Sequence, residues 1–181
     1  MTHLTLARWP SRLLSSCQLI RAFECTESPE TASVLHLAQR LARQHLEQWA
    51  VEDDCRDRAG DHHAVAAAKH EIDRLNAARV SVVEAIDAWS AKHLVAPPSA
   101  PLHTETLGSV IDRLAVAWVR ARRFEERPAR SAAREEREVA NCALLQLEEL
   151  GCAFDCLVGE VQAGSRRLPN WLPLKRYGSL R

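Results

Sequence analysis

Apolar residues return every three or four positions through most of this chain. Val65, Ala68, Ile72, Leu75, Val82, Ile86 and Trp89 keep that spacing, as do Leu107, Ile111, Leu114 and Trp118, then Ala140, Leu144, Leu147, Phe154, Leu157 and Val161. A repeat near 3.6 residues gathers such side chains on one face of an α-helix, whereas a half-buried strand needs strict alternation. No stretch of any length alternates and no tandem repeat is present, so the expected fold class is all-α. The expected architecture is an antiparallel bundle of about four long helices. At 181 residues, one domain suffices to bury a core.

Caps and breakers set the boundaries. Ser28-Pro29-Glu30 offers an N-cap, a first-turn proline and a carboxylate at the positive end of the dipole, and a helix is expected from there to about Arg58. Gly60-Asp61 supplies a break and a new cap, and the next helix runs to about Leu94, forming a hairpin with the first. The segment VAPPSAPLHTETLGS carries three prolines in its first half and divides the two helical pairs. A third helix starts near Thr106 or Ser109 and ends near Arg127-Pro128, and a fourth spans about Ala132 to Gly164. The organisation is thus an N-terminal arm or short helix over 1–27, a bundle over 28–164, and a basic tail over 165–181 that packs on it.

With 24 basic and 24 acidic residues the formal charge is zero, which gives no overall attraction to nucleic acid or an anionic membrane. The run RARRFEERPARSAAREEREVA mixes both signs at helical spacing and lacks interleaved aromatics, as a solvated helix face does, so nucleic acid is not an expected partner. No run approaches the ~20 apolar residues of a membrane span. Six cysteines without a C-x-x-C pair read as free thiols in a reducing cytoplasm, and the C-x-x-x-C of Cys152 and Cys156 as packing. The arginine-rich start has no acid before Glu24, but only Leu13 and Leu14 separate Arg12 from Ser15, too little apolar sequence for an export signal.

The apolar stripe of Val34, Ala38 and Leu41, carried forward, lands on His45, Trp49, Glu52 and Arg56. The inward face turns polar. Lys69, Asp73, Asn76 and Arg79 follow one another along one side of the next helix. If that side faces the first helix, Glu52, Asp53 and Arg56 meet Lys69, Asp73 and Arg79 in paired sets, since an unpaired buried charge costs several kcal/mol. A third segment, HTETLGSVIDRL, sets Thr104, Glu105 and Thr106 at a helix start, where free N–H groups bind an anion or are capped. Asp112 and Arg113 lie one turn inside, and Gly108 permits a close backbone approach. Trp49, Trp89 and Trp118 stand beside these segments as apolar walls.

These ordered blocks, Trp49-x-x-Glu52-Asp53-x-x-Arg56, Lys69-x-x-Ile72-Asp73-x-x-Asn76-x-x-Arg79 with Asp87 beyond, and Thr104-Glu105-Thr106-x-Gly108-Ser109-x-Ile111-Asp112-Arg113-Leu114, resemble the bacterial domain of unknown function 4254 family. The ending Leu174-Lys175-x-Tyr177 is similar to that family's C-terminal lysine and tyrosine motif. The chain departs from the pattern at His45, where asparagine is expected, at Leu107, where proline is usual, and at Gly178-Ser179, where the last motif stops early. The resemblance implies an all-helical bacterial protein with these polar residues as its signature, and no established activity.

Two functional readings stay open. In one, the polar residues bind or transform a small anionic metabolite, with Glu52 or Glu105 as the proton-transfer group, His103 as a weaker third, and Trp49, Asp53, Arg56, Lys69, Asp73, Asn76, Arg79, Thr104, Thr106, Asp112 and Arg113 around the ligand. In the other, they form a structural ion-pair network in a homo-oligomeric scaffold. A homodimer is the expected assembly in either case. No metal site and no cofactor is predicted, because glycine-rich phosphate loops, H-E-x-x-H and paired Glu-x-x-His motifs are all missing.

Overall fold

Five helices carry the fold, in a computed structural model that describes residues 14–26, 33–126 and 134–171. They are α1 (Ser16–Glu24), α2 (Val34–Asp57), α3 (His62–His93), α4 (Leu107–Glu125) and α5 (Arg134–Gln162). Among the described residues there is no strand, so the all-α expectation holds.

The caps follow local chemistry. Asp61 ends the turn after α2 and its Oδ1 accepts from the His63 and Ala64 N–H groups at 3.0 and 3.1 Å, as Gly60-Asp61 foretold. α2 is capped by Ser33, whose hydroxyl accepts from the His36 N–H. The Ser28-Pro29-Glu30 start, the Arg127-Pro128 end and the Leu174–Tyr177 motif lie outside the described residues. α5 closes at Gly164, φ +73°, with the Ser165 N–H on the Glu160 carbonyl and the Gly164 N–H on that of Val161. That paired-bond ending favours glycine.

The N-terminal arm is not loose from Leu14 onward. Ser15 and Gln18 form a capping box on α1, and the Asp155 carboxylate of α5 accepts from both the Ser16 N–H (2.8 Å) and the Ser16 hydroxyl (2.9 Å). Leu14, Leu19 and Phe23 then enter the same core as Leu41, Ile86, Ile111 and Phe154.

α4 is the axis of the molecule: nine of its 19 residues are buried, and it packs against every other helix. Around it α3 packs on α2, α2 on α1, and α1 on α5, while α5 touches neither α3 nor α2. Among the described helices the ring is open between α3 and α5. Along that open side, the long connection after α3 is pinned by the start of the tail: the His103 N–H donates to the Arg167 carbonyl, and the Arg167 N–H to that of Pro101.

Candidate functional site

His45 on α2, Arg79 on α3 and Asp112 on α4 converge where the three helices meet. His45 Nε2 lies 2.8 Å from Asp112 Oδ1, and Arg79 Nε lies 4.0 Å from the same oxygen. His45 is 8 % exposed, Asp112 23 % and Arg79 32 %. A carboxylate only accepts, so Nε2 carries the hydrogen and donates. His45 is not among the site residues expected from the sequence, where it stands only as a departure from the pattern. Its signal was its place on the inward stripe of Val34, Ala38 and Leu41.

Two cavities flank this node and share Arg79 and Val116. One, about 250 Å³, is lined by His45, Gln48, Trp49, Glu52, Arg79, Val116 and Val119. The other, about 510 Å³, lies between α3 and α4 and is lined by Arg79, Val80, Val83, Glu105, Ser109, Asp112, Arg113 and Val116. Glu52 is half-buried and accepts from Gln48 Nε2 at 3.0 Å. The Trp49 ring meets Phe124 edge-on at 6.5 Å, so its indole forms a packed apolar wall. Beyond its long contact with Asp112, Arg79 makes no hydrogen bond among the described residues. Its guanidinium, with five donors, is two-thirds buried and borders two cavities.

The rest of the sequence-derived set divides. Asp53 and Arg56 pair with each other one turn apart on the exposed end of α2, and the Asp53 hydrogen bond pushes the Arg56 pKa further up. Lys69 and Asp73 are exposed on α3, and Asn76 is half-buried. The expected network across the hairpin is thus corrected: the last two turns of α2 run past the core, so Arg56 finds water where the periodicity asks for a neighbour.

At the start of α4 the two alternatives resolve to capping. Thr106 is buried and its hydroxyl accepts from the Ser109 N–H, while the Asp87 carboxylate of α3 accepts from the Gly108 N–H at 2.8 Å. The positive end of the helix is occupied by the protein's own anion. Gly108 makes that approach possible, as expected. Glu105 is tied to Arg113 at 2.6 Å, and its N–H donates to His103 Nδ1 at 3.2 Å. His103, Thr104, Glu105 and Arg113 rim a smaller cavity of about 220 Å³ between α4 and α5, floored by Leu114, Leu150, Phe154 and Leu157. Of the three tryptophans only Trp49 borders the node's cavities: Trp89 stacks on His93, and Trp118 packs on Phe23 under Arg122.

Among the described residues no group of three or more His, Cys, Asp or Glu side chains is placed to hold a metal ion. None of their helices is long and apolar enough to cross a membrane. The model of a family described as protein of unknown function (DUF4254) matches residues 35–170. No curated protein and no solved structure matches the chain.

Proposed function

Since the chain belongs to the DUF4254 family, whose description names no activity, we propose a function from its own geometry: it binds or transforms a small anionic metabolite in the cleft between α2, α3 and α4. The observation that carries this is Arg79, which borders both cavities and has no hydrogen bond among the described residues. In this reading Arg79 holds the anion and Arg113 with Ser109 extends its reach along the larger cavity. Trp49 shields one wall, and Glu52 is the carboxylate that moves a proton. Glu105 positions Arg113 through their 2.6 Å pair. The four long helices run antiparallel, and three of them, α2, α3 and α4, hold the cleft open. The proposed setting is the bacterial cytoplasm, where six free thiols suit a reducing medium, with the protein acting as a homodimer.

Isothermal titration with a panel of phosphate monoesters and dicarboxylates tests the reading. A binding anion should lose about tenfold to a hundredfold in affinity in Arg79→Ala, the worth of hydrogen bonds to a charged group. A panel in which nothing binds, or binding unchanged by that substitution, refutes it.

One observation favours a scaffold instead: the same node ties three helices together. Under that reading Arg79→Ala lowers stability and changes no ligand affinity.

A further inference from the structure

A buried histidine held by a carboxylate from another helix has one nitrogen committed and one to spare. His45 Nε2 donates to Asp112 at 2.8 Å, and its Nδ1 has no hydrogen-bond partner among the described residues. His45 lines the 250 Å³ cavity together with Glu52 and Arg79. Asp112 therefore fixes the neutral ring in the Nε2–H tautomer and leaves the basic lone pair on Nδ1.

We propose that His45 is a catalytic acid–base residue of this cleft, exchanging a proton between Nδ1 and a bound small oxyanion that carries an ionisable hydrogen. The inference rests on the anion-site reading above and adds a proton-transfer group that the sequence did not supply. In the forward step the ligand's O–H bond breaks and an Nδ1–H bond forms. The electron pair stays on the ligand oxygen, whose new negative charge faces the Arg79 guanidinium, and the imidazolium charge is offset by Asp112. The reverse step returns the proton to the ligand.

The charged groups around the ring come from all three helices that meet here: Glu52 on α2, Arg79 on α3 and Asp112 on α4. Each has a distinct part. Asp112 orients the ring and Arg79 holds charge that the ligand gains. Glu52, bonded to Gln48, stands on the same cavity wall as a second proton carrier.

Two measurements on the full chain separate this proposal from the reading beneath it. Side-chain ¹⁵N spectra of the ligand-free protein, recorded across a pH series, should give the neutral His45 ring as the Nε2–H tautomer. Asp112→Leu, which removes the acceptor, should lose that single-tautomer signature. An Nδ1–H tautomer in the parent protein overturns the proposal whatever binds in the cleft.

The second uses inorganic phosphate and succinate as probes, titrated calorimetrically in buffers of different ionisation enthalpy so that protons moved on binding are counted. At neutral pH both probes reach the cleft partly or wholly as dianions that lack this hydrogen, so the proton that His45 then holds comes from buffer, and binding in the parent protein should be linked to fractional proton uptake. His45→Gln should still bind within about threefold, because Arg79 remains, but with the linkage gone. A linkage that survives His45→Gln overturns the role of His45 and leaves the anion site standing. Failure of both probes to bind, with the tautomer as expected, overturns the anion site instead.

Discussion

At Gly108 the backbone of α4 passes so close to α3 that a Cβ would lie 2.5 Å from the Val83 carbonyl oxygen and 2.7 Å from Asp87 Oδ1. Both neighbours are fixed, one as backbone and the other by its bond to the Gly108 N–H. Gly108→Ala should therefore cost about 3 kcal/mol, through overpacking and the displaced hydrogen bond. Gly159 in α5 gives the opposite sign: a Cβ there meets nothing within 4 Å, so Gly159→Ala should add up to about 1 kcal/mol by helix propensity alone. Urea unfolding of the two variants reads both effects, and equal signs would contradict the packing described.

Glu126 after α4 is held below the usual carboxylate range, first by its hydrogen bond from Arg122, against a desolvation that raises it, then by the charges of Arg122 and Arg123. A lowered folded-state pKa stabilises above the unfolded value, and that contribution disappears as pH falls through the folded one. Both partners are nearly half exposed, so water screens the pair to about 0.5 kcal/mol at most. Glu126→Gln should melt slightly below the parent at neutral pH and level with it once the carboxylate is protonated. A gap that persists in acid would mean that packing rather than charge is lost.

Among the elements, α1 with the Leu14 that precedes it contributes more than so short a segment suggests. Leu14, Leu19 and Phe23 are each no more than 3 % exposed, and burying three such side chains is worth roughly 5–9 kcal/mol, as much as the whole net stability of many domains. Removing the chain up to residue 26 should therefore leave a protein that has lost cooperative unfolding by circular dichroism, even though the family match begins only at residue 35. Asp155→Ala is the milder form: it strips two hydrogen bonds from Ser16 at the helix start and should cost about 1–2 kcal/mol. A truncated chain that melts like the parent would refute the helix's place in the core.

The helices themselves were legible because apolar period and caps agree locally: Asp61, Thr106 and Gly164 mark three of their ends in the sequence and in space. The site was legible in part, and the geometry of a helix says why. At about 100° per residue, Arg79 sits about 80° round α3 from Lys69 and about 120° from Asp73, turned toward Leu75 and Val82. A three-and-four spacing read as one line is a slowly turning one. Arg79 thus reaches the interior while Lys69 and Asp73 remain outside. Periodicity also reports which face points inward but not where the opposing helices stop, which is how Arg56 came to be expected inside. Asp112 was visible as a charge near a helix start, and His45 as a polar residue on an apolar stripe. That they meet at 2.8 Å is a property of α2 crossing α4, 67 residues apart in sequence, and no local pattern encodes it.

For the whole molecule, the arrangement of four helices around α4 predicts a gradient of protection. α4 is enclosed by contacts on all but its side between α3 and α5, and its amides can exchange only when several neighbours separate. α5 is the reverse case. From Arg134 to Cys142 none of its residues is buried, Val139 and Leu145 are about half exposed, and among the described helices it packs only on α4 and α1. The first turns of α5 should therefore exchange fastest among the helices and α4 slowest, in hydrogen exchange followed by mass spectrometry. The gradient bears on function because the cleft is built on the slow side. His45, Arg79 and Asp112 belong to α2, α3 and α4, whose mutual packing holds their separations, while α5 supplies none of the cleft's lining. Perturbing α5 at its exposed start, for example by Val139→Gly, which lowers helix propensity, should speed exchange there and leave exchange in α4 and the proposed anion binding unchanged. Exchange in the first turns of α5 as slow as in α4 would contradict the open ring, and a loss of affinity on that substitution would place the site's support outside the three helices that form it.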